Sequence, residues 1–186
     1  MDNRLVVHHI GGRGGDRVFP VVAAFERDII NVMYDADESC VSQVMERWEN
    51  QPSKTVVLPY CISGSDSGCT FHLNFDPYSS SIYPLNPKYA QSYVPFYNGD
   101  SRRVYDYVLG DAFRAMEKVQ LPTTNLDALV DRGEVPGPDF LSLDTQGSEL
   151  DILNGASRLL GTTILAVQGD MELHPFYEGQ PLFGDI

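Results

Sequence analysis

Basic residues are scarce in this sequence: 13 Lys and Arg stand against 26 Asp and Glu, a formal net charge of −13. Such a chain is repelled by phosphate backbones and anionic bilayer surfaces, which argues against a nucleic-acid or membrane-surface partner. Long apolar runs are lacking too. No stretch approaches the roughly 20 apolar residues of a membrane span, and the N-terminus runs straight into a short strand without a signal peptide, so a soluble, cytoplasmic protein is expected. Cysteine is sparse. Cys40, Cys61 and Cys69 form an odd set without C-x-x-C spacing, which points to free thiols rather than zinc ligands or a redox pair. His8 and His9 are adjacent and would leave a strand on opposite faces, while His72 and His174 are isolated, so no metal site is expected.

A chain of 186 residues suits one domain with a sizeable core. Leu5 to Ile10 reads as a strand, residues 16 to 27 as a helical segment with Pro20 in its first turn, and Ile29 to Tyr34 as a second strand. Val41, Val44, Met45 and Trp48 follow helical spacing, and Thr55 to Leu58 is a third short strand. Residues 59 to 103 concentrate Gly, Ser, Pro and Tyr; a strand or hairpin is expected near Cys69 to Phe75, then an irregular stretch. Residues 104 to 121 fit helix or strand equally. Thr124 or Asn125 caps a short helix in PTTNLDALV. In PDFLSLDTQGSELDILNGASRLL a strand meets a turn at Asp144 to Gly147. A helix follows with Ile152, Leu153, Ala156, Leu159 and Leu160 on one face, and a last strand spans Thr163 to Val167. Alternation of this kind implies an α/β fold with a mostly parallel sheet covered on both faces.

Directly behind the first strand stands HHIGGRGGDR, with four glycines in five places. Glycine admits positive φ and close approach of a ligand to the backbone. A P-loop needs Lys-Ser or Lys-Thr after the last glycine, but Asp16-Arg17 stand there. A G-x-G-x-x-G fingerprint from Gly12 has Arg17 in its third glycine place and sets Asp16 against a pyrophosphate. A G-x-x-x-G loop from Gly11 to Gly15 without a phosphate suits S-adenosylmethionine, whose ribose diol needs an acid at the end of strand two, where Asp35 stands. A tight structural turn accounts for the same glycines.

The segment PDFLSLDTQGSELDILNGA, with Asp144, Gly147, Glu149 and Asn154-Gly155-Ala156, resembles the FkbM family of S-adenosylmethionine-dependent methyltransferases. PTTNLDALV and DPYSSSIYPLN are similar to two further segments of that family, in the same order. The resemblance implies a class I methyltransferase (Rossmann-like) three-layer sandwich and methyl transfer to an oxygen, commonly a hydroxyl of a sugar or natural product. By that likeness His9, Gly11, Gly12, Gly15, Asp35, Ala36, Cys61, Ile62 and Asp144 flank the cofactor. His9 departs from the pattern, since the family usually has an acid there. The chain stops at Ile186, and the final antiparallel strand pair of the class is expected to be missing.

A hydroxyl acceptor needs positioning in line with the methyl and a base within hydrogen-bond reach. Asp144 is the first candidate, with Glu149 and His174 behind it. Each has a plainer reading: a turn or capping aspartate, a first-turn acid favoured by the helix dipole, and a loop histidine. The tyrosines and serines of 78 to 97 line an acceptor site or cover the sheet edge. A second function stays open, a methyltransferase-fold binding or regulatory domain without turnover. The residues leave the oligomeric state undetermined.

Overall fold

The computed structural model describes residues 4–11, 20–50, 53–88 and 114–186. In chain order the strands are β1 (Leu5–Ile10), β2 (Ile29–Tyr34), β3 (Lys54–Leu58), β4 (Cys61–Ile62), β5 (Cys69–Asn74), β6 (Ala115–Leu121), β7 (Thr123–Thr124), β8 (Phe140–Leu143) and β9 (Ala166–Gly169). The helices are α1 (Glu38–Trp48), α2 (Leu126–Asp131), α3 (Glu149–Asn154) and α4 (Ser157–Leu160).

Five strands make the central sheet in the order β3-β2-β1-β8-β9, every pair parallel. The chain winds outward from β1 through β2 to β3, then returns to place β8 and β9 on the other side. Strand order therefore reverses between β1 and β8, and that reversal opens a crevice at the strands' carboxyl ends. This is the expected α/β Rossmann-like arrangement. β1 sits in the middle and is buried on both faces, as its unbroken apolar and histidine run requires. Val6 and Ile10 join Val32, Tyr34, Leu141 and Leu143 in the larger core, closed from outside by Leu126, Leu129, Ile152 and Leu159 of α2, α3 and α4. Burying one such leucine contributes about 2 kcal/mol. On the other face α1 lays Val44 and Trp48 against Met33 and Val57.

Several elements differ from the sequence reading for local reasons. The helix expected across 148 to 160 is two short helices. A Cβ on Gly155 would lie 2.5 Å from the Ser63 carbonyl oxygen, so the chain bends closely past that loop between α3 and α4. Asp127, the acid of the LDAL segment, restarts the helix by accepting from the N–H groups of Arg158 (2.9 Å) and Leu159 (3.1 Å). The last strand begins at Ala166, because the Thr162, Thr163 and Ile164 N–H groups all point back to the Leu159 carbonyl. Pro20–Asp28 is a 3-10 segment kinked at Phe25 rather than an α-helix; residues 16 to 19 lie outside the described residues. Met45 is exposed although its spacing matches Val44 and Trp48. Asn125, not Thr124, caps α2, accepting from Ala128 N–H at 2.8 Å. β5 pairs antiparallel with β6, which settles residues 115 to 121 as strand; positions 104 to 113 lie outside the described residues. Among the described residues the main sheet has these five strands and no further antiparallel pair at its edge.

Candidate functional site

A cleft of about 210 Å³ opens at the crevice between β1 and β8. Gly11, the residue after β1, lines it at φ +86°, and its N–H donates to the Tyr34 carbonyl at 3.2 Å. A Cβ there would sit 1.8 Å from the carbonyl oxygen of Asp144. Only a residue without a side chain lets the two strand ends come so near. Gly12 and Gly15, the other loop glycines singled out from the sequence, lie outside the described residues.

Asp35 follows β2 on the same rim. Its N–H donates to Leu58 O (3.2 Å), and its Oδ1 accepts from Asp37 N–H at 2.8 Å, a turn that short acidic side chains favour. Ala36 and Asp37 continue this rim. The lining also carries Tyr60, Cys61 and Ile62 around β4, and Phe71 and Leu73 of β5. Apolar and aromatic groups thus share the lining with a carboxylate, a surface suited to a flat heterocycle with a polar sugar. His9 also lines the cleft, its Nε2 3.3 Å from Asn31 Oδ1. His8 points to the opposite face of the strand, where Tyr34 Oη lies 3.1 Å from its Nδ1. Burial drives His8 down to about 3, with the Pro136 backbone opposing and His9 adding, so it is a neutral core group.

Asp144 follows β8 across from Asp35. It is exposed to the cleft, yet protein crowds its carboxyl, and that desolvation raises its pKa; the charge of Asp170 adds, and a hydrogen bond from Gln146 Nε2 (2.8 Å) opposes. Gln146 itself takes φ 59°, uncommon for a residue with a side chain. It is held there by Ser81, whose hydroxyl donates to its carbonyl at 2.7 Å, and by the Tyr177 hydroxyl, 3.3 Å from its Oε1. Ser81 and Tyr177 are fully buried. The serine-rich segment is therefore divided in its work: Tyr78, Ser80 and Ile82 line the cleft, while Ser81 braces the turn after β8 and the Ser79 carbonyl accepts from the Tyr177 hydroxyl. Positions 89 to 97 of that stretch lie outside the described residues.

The other two acids and bases named from the sequence do not line the cleft. Glu149 is buried at 1 % exposure under the turn, and its Oε1 accepts from Thr145 N–H (2.9 Å), Thr145 Oγ1 (2.9 Å) and Gly147 N–H (3.3 Å). His174 is exposed and packs edge-on against Phe176. Glu172, which the sequence reading passed over, is half-buried just beyond β9 and takes a hydrogen bond from Gln180 Nε2 at 3.2 Å. Burial, with the charges of Glu149, Asp170 and Asp144, pushes it up to about 7. Its local sequence offers only Asp170 as a signal, since the main cause is burial, and Glu149 and Asp144 are brought from other elements.

Glu172 carries a pH-dependent prediction. A folded pKa above the ordinary 4.5 means that the folded chain keeps a proton the unfolded chain has lost, so stability is lost as pH rises through about 7. The amide oxygen of Glu172→Gln can retain the bond from Gln180 and cannot ionise. The variant should gain on the wild type as pH climbs from 4.5 to about 7. After solvent screening at a half-exposed site, the gain should level near about 1 kcal/mol, or roughly 3 °C in midpoint. Thermal unfolding at pH 4, 6 and 8 checks this; a difference that is the same at all three contradicts it.

Asp35, Asp37 and Asp144 line the cleft, and no Lys or Arg does so among the described residues. Its field favours a cation. Among those residues no cluster of three or more His, Cys, Asp or Glu could hold a metal ion, and no helix is long and apolar enough to cross a membrane. A family model described as Methyltransferase FkbM domain matches residues 13–186. No curated protein and no solved structure matches the chain.

Proposed function

The chain belongs to the FkbM methyltransferase family, and from that premise we propose that it transfers a methyl group from S-adenosylmethionine to a hydroxyl of a sugar or natural product. What supports the reading is one juxtaposition: Gly11, Asp35 and Asp144, from the ends of three neighbouring parallel strands, line a single acidic cleft. The donor set suits this cofactor. Gly11 gives bare backbone at the strand end, Asp35 has a carboxylate for a ribose diol, and Cys61 and Ile62 give a buried lining suited to an adenine. Acidic lining favours a ligand with a sulfonium and an ammonium group over one with phosphates.

When bound, the cofactor supplies a methyl group on a positively charged sulfur. The chain has to hold the acceptor oxygen in line and relieve it of a proton. Asp144 is the group for that proton, because it faces the cleft and its raised pKa brings it nearer to neutral, where a base is most effective. Gln146 fixes the carboxyl through Oδ1. Glu149 acts at one remove, by holding the turn on which both residues stand.

Thermal unfolding with and without S-adenosylhomocysteine tests the reading without a known acceptor. Ligand at 100 times its dissociation constant contributes about 2.7 kcal/mol, a rise of roughly 5 to 10 °C. The rise should vanish in Asp35→Ala and persist in Asp144→Asn, whose methyl transfer should fall about 100-fold or more. No rise at millimolar ligand in a cooperatively unfolding sample would sink the cofactor assignment and favour a binding domain without turnover.

A further inference from the structure

Cys61 and Cys69 are eight places apart in sequence and meet in space, Sγ to Sγ at 3.7 Å. The contact is built by the fold rather than by a short motif. Cys61 in β4 pairs with Thr123, Cys69 in β5 pairs with Leu121, and so both cysteines are registered against the same three-residue piece of chain. The Thr123 hydroxyl ties down the intervening loop, accepting from Gly68 N–H (2.9 Å) and donating to Ser65 O (2.6 Å). Cys40 is buried on α1 and is no part of this contact.

The two thiols are not equivalent. Cys61 is buried in the cleft wall, and its pKa is raised by the hydrogen bond to Cys69, by burial and by the charge of Asp35. Cys69 is half-exposed, and the bond from Cys61 lowers its pKa. An accessible sulfur stabilised as thiolate beside a second thiol is the arrangement that oxidants attack.

We propose that Cys61 and Cys69 are a peroxide-oxidisable dithiol, with Cys69 the attacking sulfur and Cys61 the resolving one, and that the disulfide reshapes the cleft wall. The Cys69 thiolate attacks one oxygen of hydrogen peroxide, the O–O bond breaks, and a sulfenic acid forms while the other oxygen leaves as hydroxide, which takes up the proton the Cys69 thiol had released and becomes water. Cys61 sulfur then attacks Cys69 sulfur; the S–O bond breaks, and the departing hydroxide takes the Cys61 proton as a second water. Two thiols lose two electrons to one peroxide. The sulfurs close from 3.7 Å to about 2.05 Å. Because Thr123 holds the Gly64 to Gly68 loop, the movement falls on Cys61 as well and drags on a wall of the cleft. The effect on ligand binding rests on the cofactor reading; the disulfide itself does not.

The test treats the reduced protein with equimolar hydrogen peroxide, counts free thiols and maps linked peptides. The wild type should lose two of its three thiols, give a peptide joining Cys61 to Cys69, and recover all three with dithiothreitol. Cys61→Ser should leave a sulfenic acid on Cys69 that dimedone traps, and Cys69→Ser should react far more slowly. Loss spread evenly over the three cysteines, or no joined peptide, overturns the proposal. The S-adenosylhomocysteine rise in midpoint is then compared in reduced and oxidised protein. A smaller rise after oxidation supports the coupling, and an equal rise overturns it. No rise in the reduced protein overturns the cofactor reading instead, and the coupling with it, while the joined peptide still decides the dithiol.

Discussion

Gly11→Ala is expected to lower the unfolding midpoint by roughly 10 °C and to abolish any response of the cleft to S-adenosylhomocysteine. Two costs add at this position. At φ +86° an alanine is strained by about 1 to 2 kcal/mol. Its Cβ would also overlap the Asp144 carbonyl oxygen, 1.8 Å away, and that atom cannot yield like a flexible side chain. It belongs to the residue whose N–H donates to Ile10 O at 2.9 Å, at the last rung between β1 and β8. Relief therefore requires parting the two strands at the point where the cleft begins, for a total of about 4 kcal/mol. The binding consequence is separable from the loss of stability. A Val7→Ala variant, which trims the same strand in the small Val7–Ile29 cluster, should lower the midpoint while keeping the ligand-induced rise. If Gly11→Ala unfolds at the wild-type temperature and still responds to ligand, the close approach of backbone at this turn is not what the site needs.

Much of this site was legible because its residues follow strands whose character is local. A run such as Leu5 to Ile10 has few ways to be satisfied other than as a central parallel strand, and the residue after such a strand falls at the carboxyl edge where α/β sheets bind ligands. Gly11 and Asp35 could thus be placed near one another in advance, while His9, Ala36, Cys61, Ile62 and Asp144 came from the likeness to the FkbM family; all seven line one cleft. Roles that depend on distant elements were not legible. Glu149 reads as a first-turn acid until Thr145 and Gly147 are seen to direct three donors onto one of its oxygens. Tyr177 supports Gln146 from 31 positions away, and Ser81 from 65. The Cys61 and Cys69 pair escapes the C-x-x-C rule because it is made by register against Leu121 and Thr123, which no count along the chain reveals.

Glu149→Ala should be as damaging as the glycine substitution, whereas Glu149→Gln should be mild, and the contrast separates a turn-holding residue from a catalytic one. The turn after β8 places Gln146 at φ 59° and Gly147 at φ 106° in succession. Left-handed backbone at the glutamine costs about 1 kcal/mol or more and persists only where its surroundings enforce it. Three donors converging on Glu149 Oε1 supply part of that enforcement, beneath a site exposed by only 1 %. Alanine strands these donors away from water, a loss of about 3 to 4 kcal/mol. The freed turn would also shift Asp144 and Gln146, so the cleft should lose its ligand along with its stability. Glutamine retains an oxygen for the same donors, and about 1 kcal/mol of weakening is expected from the lost charge. Midpoints and S-adenosylhomocysteine shifts of both variants decide the matter. A Gln variant that binds ligand and transfers methyl at a rate near wild type assigns Glu149 to the turn. One that folds and binds normally but transfers nothing returns it to the chemistry.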